Sequence, residues 1–245
     1  AWSFVAYLFP IFFTWIGLAN TAPAGMIPQS VIWSFYVGAA ILILCVLYTF
    51  AKVKELNPQE YAEFHGIDLS TQNGQKGDGF IKLLSHAPKT FWTVGLVQFF
   101  CWAAFLFMWT YTNGAVAESC WGTTDVASEG YQAAGNWVGV LFAVQAVGSI
   151  IWAALIPKFK SLKAAYIVSL LIGAVGFMSV LLIHNQWILF ASYLMIGAAW
   201  AAMLALPFTI LTNSLKGTPH MGEYLGLFNC TICLPQIVAA SGGSR

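Results

Sequence analysis

The stretch "VQFFCWAAFLFMWTYTN", residues 97–113, decides the fold class. It carries no charge and continues an apolar run from residue 90, which gives the ~20 residues that a helix needs to cross a bilayer. Amide, aromatic and hydroxyl residues recur in it at intervals of four, three, four and three: Gln98, Trp102, Phe105, Trp109 and Thr112. This spacing places the five side chains on one face of a helix. The stretch therefore predicts a transmembrane helix with polar and aromatic groups along one side.

The composition of the chain indicates an integral membrane protein. Of the 245 residues, 59% are apolar and only 8% are charged, whereas a soluble domain carries about a quarter charged residues. So little polar surface cannot face water, and the expected partner of the surface is the lipid bilayer. The formal net charge of +1 gives no reason to expect a nucleic-acid partner.

Seven apolar stretches are each about as long as a bilayer crossing, ~20 residues. They cover residues 1–19, 31–51, 90–112, 136–157, 164–183, 187–212 and 224–240, and their interiors contain no Asp, Glu, Lys, Arg or His. They are too long for barrel strands and lack the alternation of such strands. The sequence predicts an all-α membrane protein of about seven transmembrane helices. Asn136 is expected to cap the fourth span, and glycines such as Gly148 and Gly197 are expected to allow close helix contacts.

The basic residues predict the orientation of the chain in the membrane. Loops 20–30, 113–135 and 184–186 contain neither Lys nor Arg. The lysines fall in the alternate loops: Lys52, Lys54, Lys76, Lys82, Lys89, Lys158, Lys160, Lys163 and Lys216. By the positive-inside rule these loops are cytoplasmic. We expect a multi-pass protein of the cell (inner) membrane with residues 52–89 in the cytoplasm.

Residues 52–89 form the longest loop and are predicted to link two halves of the protein. In "NPQE", Asn57 is a helix N-cap and Glu60 its capping-box partner, which predicts a short helix to Gly66. "FIKLLSHAPK" is suited to the membrane surface. Many secondary transporters consist of two helical halves. Residues 1–51 would then be the last two helices of the N-terminal half, and residues 90–245 five of the six helices of the C-terminal half.

Two further stretches resemble a known transporter family. "GEYLGLFNCTICLPQIVAA" (222–240) resembles the eleventh-helix motif of the glycoside–pentoside–hexuronide:cation symporters, a sugar-transport branch of the major facilitator superfamily. "FLFMWTYTNGAVAE" (105–118) resembles the seventh helix of the branch that includes sucrose/proton symporters. The resemblance implies a truncated major-facilitator-like bundle, helices five to eleven, that carries a sugar with protons or sodium. "IPKFKSLK" (156–163) departs from the superfamily's loop signature, because it has lysines but no acid.

A sugar site needs amide or hydroxyl partners for the hydroxyl groups and flat aromatic platforms for the C–H faces. The stripe on residues 97–113 offers both, and three amides on other spans are its best companions. The candidate substrate-binding residues are Gln98, Trp102, Phe105, Trp109, Asn113, Gln145, Asn229 and Gln236. An alternative stays open for the amides. Gln98 would then bond a neighbouring backbone in a packing seam, and the others would join helices to one another.

No residue cluster predicts a cofactor, a metal site or an enzyme. Cys230 and Cys233 have CxxC spacing without flanking ligands, so we interpret them as small packing residues. Glu118, Asp125 and Glu129 are expected in an external loop, and they are too sparse for an active site.

The predicted function is secondary active transport of a mono- or oligosaccharide, such as maltose or sucrose, with a coupling cation, H⁺ or Na⁺. Proton coupling needs a titratable group inside the membrane. Because no span contains one, the coupling residues are expected in helices one to four, outside this sequence. The alternative is a structural or accessory membrane subunit without transport activity.

Overall fold

The computed structural model describes residues 2–20, 22, 26–53, 57, 60, 63, 80–218 and 221–242. All regular structure in these residues is helical. The elements are α1 (Trp2–Trp15), α2 (Gln29–Lys52), α3 (Phe80–Ser85), α4 (Lys89–Trp121), α5 (Glu129–Leu155), a 3₁₀ turn (Ile156–Lys158), α6 (Leu162–Val180), α7 (Leu189–Ser214), α8 (Met221–Phe228) and α9 (Cys230–Gly242). The predicted all-α class is confirmed.

Among the described residues, six helical segments are long and apolar enough to cross a membrane, one fewer than the sequence predicts. They are Gln29–Lys52, Lys89–Trp121, Glu129–Lys158, Leu162–Val180, Leu189–Ser214 and Met221–Ser241. The first predicted span contains only α1, with 14 residues. At 1.5 Å per residue α1 is about 21 Å long, which is less than the roughly 30 Å of a hydrocarbon core.

The chain divides into two compact units, residues 1–34 with 88–245, and residues 35–87. In the second unit, the backbone N–H of Asn57 donates to Oε2 of Glu60 at 3.3 Å, which is one of the two bonds of the predicted capping box. Most of the predicted helix 57–66, and residues 64–79 of the linker, lie outside the described residues.

Two helices in the larger unit extend beyond their predicted ends. α4 continues to Trp121 and ends at Gly122, whose φ of 64° is left-handed and suits a helix C-terminus. Glu118 therefore lies in the last turn of α4 rather than in a loop. α5 begins at Glu129, where the Ser128 hydroxyl accepts the Tyr131 N–H as a cap. Asn136, the predicted cap, lies two turns inside the helix, because the apolar run marks the lipid-facing part of α5 and not its end.

α7 is the central helix of the larger unit, and its backbone touches the backbone of α5. A Cβ on Gly148 would lie 2.5 Å from the Leu194 carbonyl oxygen, and one on Gly197 would overlap the Gln145 carbonyl oxygen. The Ser149 hydroxyl donates to the Gly197 carbonyl at 2.9 Å. Glycine at both positions therefore allows the two helices to meet without intervening side chains, as the sequence predicts.

α6 packs on another side of α7, and glycines again allow the close contact. A Cβ on Gly173 would overlap that of Ala199, and one on Gly176 would lie 2.8 Å from the Ser192 carbonyl oxygen. The hydroxyls of Ser179 and Ser192 are 2.7 Å apart and share a hydrogen bond. α7 is thus fixed between α5 and α6.

α4 contacts α8 and α9 near its first turns. The ring of Phe91 lies 6.0 Å from those of Tyr224 and Phe228. Gly95 leaves room for the Thr231 methyl group, which lies 3.1 Å from an ideal Cβ. Asn229 interrupts the helix between α8 and α9.

We expect Gly197→Ala to destabilise the bundle. The added methyl group overlaps the α5 backbone, and overpacking of this kind costs about 1–3 kcal/mol. Gly114→Ala is the matched control on α4, because no described atom beyond its chain neighbours and its own helix backbone lies within 4 Å of its Cβ position. Thermal unfolding of the purified full-length protein in detergent measures both, and equal midpoints for the two variants would contradict the assigned packing.

Candidate functional site

The aromatic residues of the α4 stripe converge on one indole of α7, that of Trp200. The ring centroids of Trp102, Phe105 and Trp109 lie 5.7, 4.9 and 5.3 Å from the Trp200 ring. The two tryptophans meet it edge-on, at interplanar angles of 78° and 82°. Aromatic pairs favour such tilted arrangements over stacking face to face. The stripe therefore faces protein and fixes the orientation of Trp200.

Gln98 lies in the same seam, with both ends of its amide bonded. Its Nε2 donates to the Met203 carbonyl on α7 at 3.3 Å, and its Oε1 accepts the Tyr166 hydroxyl of α6 at 3.1 Å. The side chain is only 1% exposed. This arrangement matches the packing alternative that the sequence leaves open for Gln98.

Trp200 also lines a cavity of about 250 Å³ between α1, α5 and α7. Other lining residues are Tyr7 on α1, Gln145 and Ser149 on α5, and Leu204 on α7. The close α5–α7 contact sets this geometry, because Gln145 lies beside Gly197 and Trp200 follows three residues later along α7. The structure thus brings one predicted site residue, Gln145, together with an indole and a phenol.

Gln145 differs from Gln98 in its hydrogen bonding. It is 4% exposed, and its Oε1 has no hydrogen-bond partner among the described residues. Trp102 Nε1 and Asn113 Oδ1 share this property within the described part of the chain. An unpaired amide in an apolar environment costs several kcal/mol on the water-to-cyclohexane scale, about 4–8. Gln145 is therefore the described side chain in the cavity wall that most needs a partner.

The remaining predicted residues lie away from this cavity. Asn113 packs against α5, where its Oδ1 is 3.5 Å from an ideal Cβ on Gly135. Asn229 is exposed between α8 and α9, and Gln236 is half-buried on α9. Their assignment to substrate binding stays a prediction.

The sequence-based candidate site contains only Gln145 of the residues that line this cavity, and it omits the indole of Trp200 and the phenol of Tyr7. Trp200 shares a helical face with Tyr193, Gly197 and Leu204, and its indole was the available signal. No sequence signal pointed to Tyr7, because a single tyrosine in an apolar run does not indicate which helix it contacts.

In a comparison with family models, residues 1–240 match the model of the Major Facilitator Superfamily. The chain belongs to this superfamily. Neither the curated proteins nor the solved structures yield a match. This major facilitator is therefore a multi-pass membrane protein of a transporter family, with a lipid bilayer and a small-molecule substrate as its partners. The superfamily prediction is confirmed at this level.

We expect Gln98 and Tyr166 to couple energetically across the α4–α6 interface of this major facilitator. Gln98→Met and Tyr166→Phe each remove one side of the bond while keeping the shape of the side chain. Interhelical hydrogen bonds in membrane proteins contribute about 0.6 kcal/mol on average and about 1.7 at most. The double-mutant cycle, read from unfolding of the full-length protein in detergent, should give a coupling energy in that range. Strict additivity of the two substitutions would show that the bond contributes nothing.

Proposed function

We propose that this major facilitator carries a sugar across the cell membrane by alternating access, coupled to a cation, H⁺ or Na⁺. The observation that supports this most is the pairing of the unpartnered Gln145 Oε1 with the Trp200 indole in one cavity. The mono- or oligosaccharide class, the coupling and the inner membrane location rest also on the resemblance of residues 105–118 and 222–240 to sugar symporters.

The chemistry of the cavity wall matches the chemistry of a sugar. Gln145 Oε1 is buried in this conformation, and a rotation of the side chain would bring it to the cavity, where a sugar hydroxyl can donate to it. Ser149 and Tyr7 line the same wall. The C–H face of a pyranose packs well against an indole such as that of Trp200. The cavity of about 250 Å³ lies just below the common range of ligand sites, roughly 300–1000 Å³. Its size favours a single sugar ring at this position.

We infer that the α4 stripe holds the Trp200 indole in position and does not itself contact the sugar. Phe105 is only 1% exposed, so its ring does not touch the sugar directly. It acts on the sugar by holding the Trp200 ring in place. Trp102 and Trp109 hold the indole from the same side. Gln98 joins α4 to α6 and α7. A contact of Asn113, Asn229 or Gln236 with the sugar would require a different arrangement of the helices, which alternating access provides.

Cation coupling is proposed without a residue of this chain to carry it. The acidic residues of the described spans lie at helix ends, at Glu118, Glu129 and Glu223. Glu118 and Glu129 are solvent-exposed, which is typical of surface charges and not of intramembrane proton carriers.

Gln145→Leu tests the proposed site. It keeps the size of the side chain and removes the acceptor, and loss of one neutral hydrogen bond of about 1–1.4 kcal/mol lowers kcat/KM roughly five- to tenfold. Gln132→Leu is the matched control, because Gln132 lies on the same helix but bonds the Val126 carbonyl outside the cavity. The measurement is uptake of a panel of labelled sugars by full-length protein in proteoliposomes, with and without a proton or sodium gradient. No uptake of any sugar by the parent protein would overturn the proposed function.

Phe105→Leu tests the positioning role of the stripe. Without the Phe105 ring, Trp200 loses its nearest aromatic neighbour, and we expect KM for the transported sugar to rise severalfold while Vmax changes less. Phe100→Leu is the control, since Phe100 lies on the same helix and is 64% exposed. Thermal midpoints of both variants separate a change in the site from a general loss of stability. Equal KM values for the two variants would exclude this role.

A further inference from the structure

Three neutral side chains form a hydrogen-bonded chain at one end of the larger unit. Asn20 Nδ2 donates to Asn136 Oδ1 at 2.6 Å, and the Ser30 hydroxyl donates to Asn20 Oδ1 at 2.6 Å. Ser30 is fully buried, and its backbone N–H donates to the Ala19 carbonyl at 3.1 Å. These bonds join Asn20 and the first turn of α2 to α5. It lies at the end of the bundle opposite to the helix termini that carry Lys89, Lys158 and Lys216.

The same interface contains close contacts between α1 and α5. Proceeding along α5 from Asn136, an ideal Cβ on Gly139 would lie 3.1 Å from the Tyr7 carbonyl oxygen. One turn further, the rings of Phe142 and Tyr7 are 5.4 Å apart. The cavity begins at Phe142 and continues along α5 to Ala153. The two helices thus touch on one side of Phe142, and the cavity lies on the other side.

Alternating access requires the substrate site to open toward each side of the membrane in turn. Opening toward the Asn136 end requires α1 to part from α5, because their contacts close that side. We propose that Asn20, Ser30 and Asn136 form a latch, which closes the cavity on the side away from the lysines and breaks and re-forms once in each transport cycle. This inference rests on transport by the family and does not depend on a sugar as the substrate.

The chemistry of the latch suits repeated opening. It consists of amide and hydroxyl groups, which water can solvate when they separate. A buried ion pair that separated would instead leave two unpaired charges, at a high cost in free energy. Interhelical hydrogen bonds of this kind are weak. Removing one should therefore shift the ratio of open to closed states by roughly three- to twentyfold.

The experiment measures access to the cavity from the Asn136 side. Ala146, which lines the cavity and is buried, is changed to cysteine in full-length protein whose native cysteines are replaced by serine. A membrane-impermeant thiol reagent is added from the compartment that the Asn136 end faces. Asn136→Ala, or Ser30→Ala if the first variant fails to fold, should raise the labelling rate three- to twentyfold.

The control is Asn185→Ala at the same end of the bundle. Asn185 Oδ1 accepts the Trp187 N–H within its own turn, so this variant should leave the labelling rate unchanged. Equal rates for the parent, Asn136→Ala and Ser30→Ala proteins would overturn the latch.

A second test joins the latch covalently. Cysteines at positions 20 and 136 are linked by a short bifunctional thiol reagent in the same background. Relative to its own uptake before treatment, the linked double-cysteine protein should lose uptake, whereas the reagent should not change the uptake of either single-cysteine variant. Undiminished uptake by the linked protein would show that this contact need not open.

Discussion

The structure depends on the direct backbone contact of α7 with α5 and α6. In a bilayer the lipid is as apolar as the helix surface, so close packing and hydrogen bonds must hold helices together. Gly148 and Gly197 allow close packing between α5 and α7. The Ser149 hydroxyl adds a hydrogen bond to the Gly197 carbonyl. This contact brings Gln145 and Trp200 into the wall of one cavity. The cavity, the indole in its wall and the unpaired amide oxygen all follow from it.

Two glutamines show how position within this bundle decides the chemistry of a side chain. Gln98 meets a backbone carbonyl and a tyrosine hydroxyl, so its amide is satisfied by protein on both sides. Gln145 meets no described partner at Oε1, although it is almost as deeply buried. The first amide fastens helices, and the second has a strong need for water or ligand. Residue type alone does not distinguish these two roles.

The sequence predicted the helical class and the α4 face correctly, because both depend on local periodicity. Gln98, Phe105 and Thr112 lie on one face and contact Met203, Trp200 and Tyr193 of α7. Periodicity says which side chains share a face but not which neighbour that face meets. Three rings of the stripe contact Trp200, a neighbour that the periodicity does not name, and the role of the stripe in substrate binding stays a prediction.

Helix ends were predicted less well for a different physical reason. Hydropathy marks the part of a helix that lies in lipid, whereas capping chemistry ends the helix. Gly122 and Ser128 determine where α4 ends and α5 begins, several residues beyond the apolar runs. The glycine contacts around α7 could be predicted from the sequence, because glycine inside an apolar helix has few roles other than close helix packing.

The interfaces of α5 with α7 and with α1 differ in how tightly they are packed. This difference indicates which interface separates at the lower cost in free energy. Toward α7, interlocked backbones at Gly148 and Gly197 leave no room to slide. Toward α1 and the residues that follow it, the described contacts include a ring pair, a single glycine and the bond between Asn20 and Asn136, and these can separate without a charge being exposed. A transporter needs rigid groups of helices that move against each other. We therefore infer that α5, α6 and α7 move as one body and that the α1–α5 interface is the one that opens.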